Sequence, residues 1–299
     1  MDGKQNTKKS ALFVLGAGML WGCMGILVRT MNRGGFNSLE VTAFRSLVTT
    51  VFMFGGMFLF NRKELKIRLR DLWCFLGSGV LSVTFFNVCY FTCMNYATLS
   101  VAAILLYTAP SFMILMAAVL FRERITVGKV AALVLAFAGC VLVSGGFTGR
   151  NLTGMTILTG LGAGFGYALY SVFGKYAIQK GYSSYTITTY TFLFAGLGTL
   201  PFLNGAHVLQ CISDSKVGDL AFAVFLTVLT TTVAYLLYTA GLKGLESGRA
   251  SIIASIEPVT ASLIGWLLYK EEMRPEGIAG MLLVLASCAL VAGKGGKEA

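Results

Sequence analysis

Charge is scarce in this 299-residue chain: Asp, Glu, Lys and Arg make up 12% of it, where a soluble domain carries roughly a quarter. So few charges do not cover a globular surface, which excludes a water-soluble enzyme. Disorder is excluded from the other side, because 56% of the residues are apolar. Histidine is nearly missing, with His207 alone. The seven cysteines (Cys23, Cys74, Cys89, Cys93, Cys140, Cys211 and Cys288) lie mostly in apolar stretches without CxxC spacing. They read as small buried hydrophobes, so neither a metal nor a cofactor is expected. GxSxG and HExxH are absent, and no pair of carboxylates falls at mid-span, which removes the common routes to an integral membrane hydrolase. Glycines Gly16, Gly18, Gly22, Gly25, Gly160, Gly162, Gly164 and Gly166 sit inside apolar runs with no Lys-Ser/Thr after them. They point to close helix packing or a flexing gate, not to a phosphate cradle.

What the chain has instead is long apolar runs. A bilayer core takes about 20 apolar residues per helix. Cutting at charges and turn residues predicts ten spans, over 11–31, 39–60, 72–92, 98–120, 127–146, 153–174, 184–203, 217–240, 247–268 and 276–293. The runs are continuous rather than alternating, which argues against a β-barrel. The longest interruptions, Asn61–Asp71 and Asn204–Lys216, are too short for a soluble domain. Lys4, Lys8 and Lys9 precede the first run, but no small-x-small site follows it, so it reads as an uncleaved first helix.

With the amino terminus inside, seventeen Lys and Arg fall on cytoplasmic segments and six outside (Arg29, Arg33, Arg150, Lys216, Lys270 and Arg274), leaving Arg45 within a span. This asymmetry predicts a multi-pass protein of the cell membrane (inner or plasma) with both termini cytoplasmic. It accounts for the net charge of +11 without a nucleic-acid partner.

The chain also repeats itself. Shifted by 148 residues, Pro110 falls on Pro258, Phe121-Arg122-Glu123 on Tyr269-Lys270-Glu271, and Cys140 on Cys288; a shift of 146 brings Trp21 onto Tyr167 and Arg29 onto Lys175. Residues 1–150 and 151–299 are then two units of five spans each. An odd number of spans inverts the second copy, and inverted repeats around a midplane site are the architecture of secondary transporters. The expected fold is an all-α membrane protein of ten helices, two inverted five-helix repeats enclosing a central cavity.

Certain residues in these repeats resemble a known family. Thr108-Ala109-Pro110 with Met116–Glu123, and Ile256-Glu257-Pro258-Val259 with Gly265–Glu271, are similar to the two signatures of EamA-type proteins of the drug/metabolite transporter superfamily. Leu20-Trp21-Gly22 and Phe44-Arg45 add to the likeness. The resemblance implies the same ten-helix inverted repeat, and usually the export of metabolites such as amino acids. Carriers of sugar phosphates, nucleotide sugars and S-adenosylmethionine belong to the same superfamily, and a lipid flippase on this fold remains an alternative.

Ionisable side chains at membrane depth cost roughly 2.5–3.5 kcal/mol each on insertion scales and are functional candidates by default. Two lie well inside spans. Glu257 falls near the midplane, and Arg45 about 9 Å from the outer end at 1.5 Å per residue. Their repeat mates, Ala109 and Thr191, are uncharged. Arg45 either snorkels outward, pairs with Glu257 or faces a cavity. A carboxylate that carries protons works near neutral pH, which burial favours and a neighbouring guanidinium opposes. Glu257 is therefore a tight partner of Arg45 or a proton carrier in any one state, not both.

Pro110 and Pro258 each remove a backbone bond within a helix and shape a hinge or a cavity wall. Trp21 lies too deep for an interfacial belt. With Asn87, Tyr90, Tyr107, Tyr167, Tyr170, Tyr235 and Tyr238 it forms a candidate lining of stacking walls and few polar tips, suited to a small amphipathic solute. Glu123 and Glu271 end their helices beside basic residues and read as structural salt-bridge formers. No ring of like charge marks a channel. The sequence thus predicts a secondary transporter, most consistent with an exporter, of small metabolites such as amino acids, working by alternating access with a proton as the coupling ion. Its partners are the small-molecule substrate and the bilayer, and its form a monomer or homodimer.

Overall fold

The computed structural model describes residues 2–145 and 153–293, and every regular element among them is helical. The expected unit boundary at 150/151, the end of the fifth span, and Arg150, Lys294 and Lys297 of the charge count lie outside the described residues. The helices are α1 Thr7–Arg33, α2 Ser38–Phe60, α3 Leu69–Tyr96, α4 Leu99–Phe121, α5 Val127–Val143, α6 Gly154–Gln179, α7 Ser184–Phe202, α8 Gly205–Asp214, α9 Val217–Leu242, α10 Ser247–Tyr269 and α11 Pro275–Ala292. Eight of them are long and apolar enough to cross a bilayer. α7 bends by 105° into α8, and the bent pair counts as a ninth. α5 is an apolar helix below 18 residues, ended by Ser144 and by Gly145 at φ 81°, so it falls short of the span expected over 127–146.

Capping residues set where the helices begin. Asn37 Oδ1 accepts from the amides of Leu39 and Glu40, while Glu40 Oε2 accepts from Asn37 N–H, closing a reciprocal cap at the start of α2. The hydroxyls of Thr98, Thr126, Thr153 and Ser183 each accept the amide three residues on, starting α4, α5, α6 and α7. α4 and α10 both end in a non-glycine residue with left-handed backbone, Arg122 at φ 55° and Lys270 at φ 57°. This conformation is uncommon outside glycine, and here the following amide, of Glu123 or Glu271, donates back to Ala117 or Gly265.

The long helices are interrupted internally. α4 breaks at Tyr107-Thr108 and α10 at Ser255-Ile256, and Pro110 and Pro258 each fall in the first turn of the segment that restarts. Proline is tolerated there because a first-turn N–H has no partner to lose. Each proline thus follows an interruption of its helix rather than lying within an unbroken one. α3 and α9 each widen into a π-helical stretch, at Gly77–Thr84 and Val228–Val233. The sequence reading missed both, although clustered Gly, Ser and Thr mark the places.

α1 packs on α9 and on both segments of α10, and α6 packs on α3 and on both segments of α4. α2 pairs with α7, and α5 with α11. Contact at the breaks is close. A Cβ placed on Gly18 of α1 would stand 2.6 Å from Ile256 Cγ2 and 2.9 Å from the Ala254 carbonyl oxygen. Gly164 of α6 approaches Thr108 and Leu105 in the same manner. A methyl at either point overpacks helices whose carbonyls have no room to retreat. Gly18→Ala is accordingly expected to lose about 1–3 kcal/mol of stability, measurable as a lower Tm of the purified protein, whereas Gly25→Ala, which meets no atom within 4 Å, should not.

Candidate functional site: a carboxylate beside an aromatic cluster

The helix breaks put a carboxylate where two long helices are discontinuous. Glu257 opens the second segment of α10 and lines a small cavity with Tyr107, Pro110, Tyr167, Ser251 and Ser255. Tyr167 Oη donates to Glu257 Oε2 at 3.5 Å. Among the described residues no cation lies within ion-pair distance of Glu257.

Tyr167 is shared with a second cavity, walled by Trp21, Phe86, Tyr170, Tyr235 and Tyr238 and edged by Ser82 and Ser171. Trp21 is the hub. Its ring centroid is 5.1 Å from those of Tyr235 and Tyr238 and 5.9 Å from that of Tyr167. Tyr235 meets Tyr170 edge-on at 4.9 Å and Phe192 at 4.8 Å. Edge-to-face pairs of this kind add roughly 0.5–1.5 kcal/mol each beyond burial and hold the rings in fixed orientations. Two hydroxyls are committed locally, Tyr170 Oη with Thr239 Oγ1 at 2.6 Å and Tyr238 Oη with Ser171 Oγ at 2.7 Å. Trp21 Nε1 is not: it is buried and has no acceptor among the described residues. A buried N–H without a partner is uncommon enough to need an explanation.

The two cavities hold about 10 and 20 Å³, room for roughly one water each. Anything larger than a water enters only if the helices part.

The remaining candidates divide. Tyr90 stacks at 5.8 Å on Phe86, which itself meets Tyr167, so it backs the aromatic wall. Pro258 is buried next to Glu257 and fixes the break. Asn87 is turned elsewhere: its amide donates to the Val83 carbonyl at 2.7 Å and its Oδ1 accepts from Thr42 Oγ1, so it ties α3 to α2. Arg45 does not snorkel, being 9% exposed, nor does it pair with Glu257. Its Nε donates to Thr231 Oγ1 at 3.1 Å, inside the π-helical stretch of α9. Thr49 Oγ1 and Thr232 Oγ1, 3.0 Å apart, form the adjacent contact between the same helices. A wide turn advances fewer degrees per residue than an α-turn and re-aims the side chains it carries. Ser251, Ser255, Phe86 and Thr231 are site neighbours that a scan for charges and tyrosines passed over.

On the opposite side of the molecule from the start of α10, an open cleft of about 640 Å³ lies among Ser100, Leu142–Gly145, Ser262, Trp266, the 271–274 loop and the start of α11.

Comparison with known proteins agrees with this geometry. The model of the EamA-like transporter family matches the chain twice, over residues 8–145 and 154–293. A transporter of Archaeoglobus fulgidus described as uncharacterized is 31% identical over 92% of this chain and 93% of its own. A second from the same organism is 27% identical over 95% and 97%. The uncharacterized inner membrane transporter YicL of Salmonella typhimurium is 26% identical over 96% of each. A solved protein structure superposes with a TM-score of 0.78 at 16% identity, covering 96% of this chain and 97% of that one. At that identity the likeness shows a shared fold. Long apolar helices, a cavity between broken helices and a family match over both halves agree: the chain belongs to the EamA-like transporter family and is a multi-pass membrane transporter.

Proposed function

We propose that this transporter exchanges protons for a small amphipathic solute bearing an amine, amino acids being the nearest class, and that Glu257 is the group that binds either one. The observation that carries the reading is a carboxylate at the break of α10, touched by a tyrosine hydroxyl and, among the described residues, by no cation, beside a cluster of aromatic rings. A part-buried carboxylate with no counter-ion among the described residues is costly, and either a proton or a solute ammonium relieves that cost. The two exclude one another, so the exchange is an antiport. With protons driven inward, the solute moves outward. Aromatic faces give the rest of the solute apolar and cation–π contacts.

Alternating access through ten helices in two inverted repeats supplies the movement. The packing supports this: the contacts of α1 with α9 and α10 have counterparts in those of α6 with α3 and α4, while α2–α7 and α5–α11 are pairs of mates. Among the described residues each half has a helix interrupted just before a proline, a π-helical stretch and a left-handed helix end at a non-glycine residue, in matching places. The units 1–150 and 151–299, both termini in the cytoplasm, and a functional monomer or dimer belong to the same proposal.

The test is transport by purified protein in liposomes. Candidate amines and amino acids should show saturable uptake that is accelerated by unlabelled solute on the opposite side, and one proton should move against each solute. Current proportional to voltage, or lipid scrambling without solute flux, would replace the carrier with a channel or a flippase.

A further inference from the structure

The two halves are alike in sequence, yet their mated residues make different contacts at the two ends of the molecule. At the start of α10, Glu123 Oε1 accepts from the amide of Ser247 at 2.7 Å and Oε2 from that of Gly248 at 3.3 Å. Lys175 Nζ donates to the carbonyls of Leu242 and Leu245, at 3.1 and 3.0 Å. The turn between α9 and α10 is therefore clamped by an anion on the amides that follow it and by a cation on the carbonyls that precede it, both signs suited to the helix dipoles. Lys129 Nζ, 3.8 Å from Glu123 Oε2 and 3.1 Å from Glu246 Oε2, locks the anion in place.

At the far end, the mates of these groups are Glu271 for Glu123 and Arg29 for Lys175, and the mates of the clamped turn are Met94 to Ser100, between α3 and α4. The far clamp is not made. Glu271 Oε1 and Arg29 Nη2 are paired with each other at 2.5 Å, and the guanidinium lies 4.0 Å from the Tyr269 ring centroid. Among the described residues nothing accepts from the amides of Leu99 and Ser100. Ser100 and Glu271 both line the 640 Å³ cleft. Exposure follows the contacts: the Glu123 side chain is 10% exposed and that of Glu271 51%.

We propose that Glu123 with Lys175, and Glu271 with Arg29, are two reciprocal latches, each of which closes one face of the transporter by clamping the turn opposite it while the other pair is held off by its own ion pair. When the closed face opens, Glu123 leaves Ser247 and Gly248 to pair with Lys175. Glu271 then leaves Arg29 for the amides of Leu99 and Ser100, and Arg29 turns to the carbonyls of Met94 and Ala97. These four act as positioning residues, since none lines the solute cavities. The inference rests on the alternating-access reading above, but not on the identity of the solute or on protons.

Hydrogen–deuterium exchange of the full-length protein in lipid nanodiscs, with no solute added, tests it on peptides covering 94–106 and 242–254. Glu123→Gln should speed exchange at Ser247 and Gly248 by roughly tenfold, the scale of a lost helix cap, and slow it by a similar factor at Leu99 and Ser100. The slowing must vanish in the double variant Glu123→Gln/Glu271→Gln, because Glu271 is its source. Faster exchange at 247–248 with no change at 99–100 makes Glu123 a plain cap and overturns the proposal. So does slowing at 99–100 that survives removal of Glu271. If Glu123→Gln does not fold, Lys175→Gln releases the same latch from its cationic side and carries the same pair of outcomes. Solute exchange in liposomes alongside a failed test would leave the transporter reading intact and remove only the latches.

Discussion

Glu257→Gln is expected to uncouple the protein from the proton gradient: a pH step should no longer drive solute across, while solute-for-solute exchange stays measurable at high concentration. Gln retains the shape of Glu and an oxygen able to accept from Tyr167 Oη, so folding has little reason to fail. What it lacks is the charge that holds a solute ammonium and the site that takes a proton. Removing one member of a buried, hydrogen-bonded charge pair costs about 2–5 kcal/mol, or roughly 30-fold or more in apparent affinity. Both losses should appear in one variant, because both ligands use one carboxylate. Uptake that keeps its full pH dependence in Glu257→Gln would falsify the assignment. Loss of affinity alone would retain the residue as a solute anchor and move the proton elsewhere. Glu257→Asp separates the cases further. It restores a titratable group set back by one methylene from Tyr107 and Tyr167, so coupling should return while affinity stays weak.

Much of this site was legible in the chain because a membrane restricts what polar residues are allowed to do. Glu257 stood out as an acid in the middle of an apolar run, and the structure places it in a cavity. Trp21, Tyr167, Tyr170, Tyr235 and Tyr238 come together around one point, a consequence of matched positions on packed helices. Arg45 carried the same sequence signal as Glu257 but has a different setting, since a threonine hydroxyl from another helix meets it. That partner depends on the π-helical stretch at Val228–Val233, and the phase shift of a wide turn is not visible to a reading that assumes 3.6 residues per turn. The hydrogen bonds of Asn87 were hidden for a related reason. Its residue type does not say whether a polar tip faces a cavity or a neighbouring helix, and Thr42 lies close enough to take it. Glu123 and Glu271 were readable as end-of-helix carboxylates. Their unequal contacts are a property of one conformation, which no single sequence encodes.

Trp21→Phe should weaken solute binding about tenfold while leaving the protein folded, and the contrast with Trp21→Ala explains why. Trp21 is 7% exposed and touches three tyrosine rings, so cutting it to alanine empties the middle of the largest buried cluster. A loss of about 3–5 kcal/mol is expected for such a truncation, enough to confound any reading of transport. Phenylalanine keeps a ring for Tyr235 to meet edge-on and Tyr238 at a tilt, and deletes the buried Nε1–H. Among the described residues that N–H has no acceptor, and an orphaned donor costs about 1–3 kcal/mol. Its removal offsets the void left by the smaller ring, and Tm should stay close to that of the unaltered protein. If the N–H instead donates to a carbonyl or carboxylate of the bound solute, its deletion costs about 1.4 kcal/mol of binding, a factor of ten in Kd. Stability and affinity thus answer separately, one by thermal unfolding and the other by solute titration on the same sample. An unchanged Kd assigns Trp21 to packing alone and leaves Glu257 as the polar anchor of the cavity.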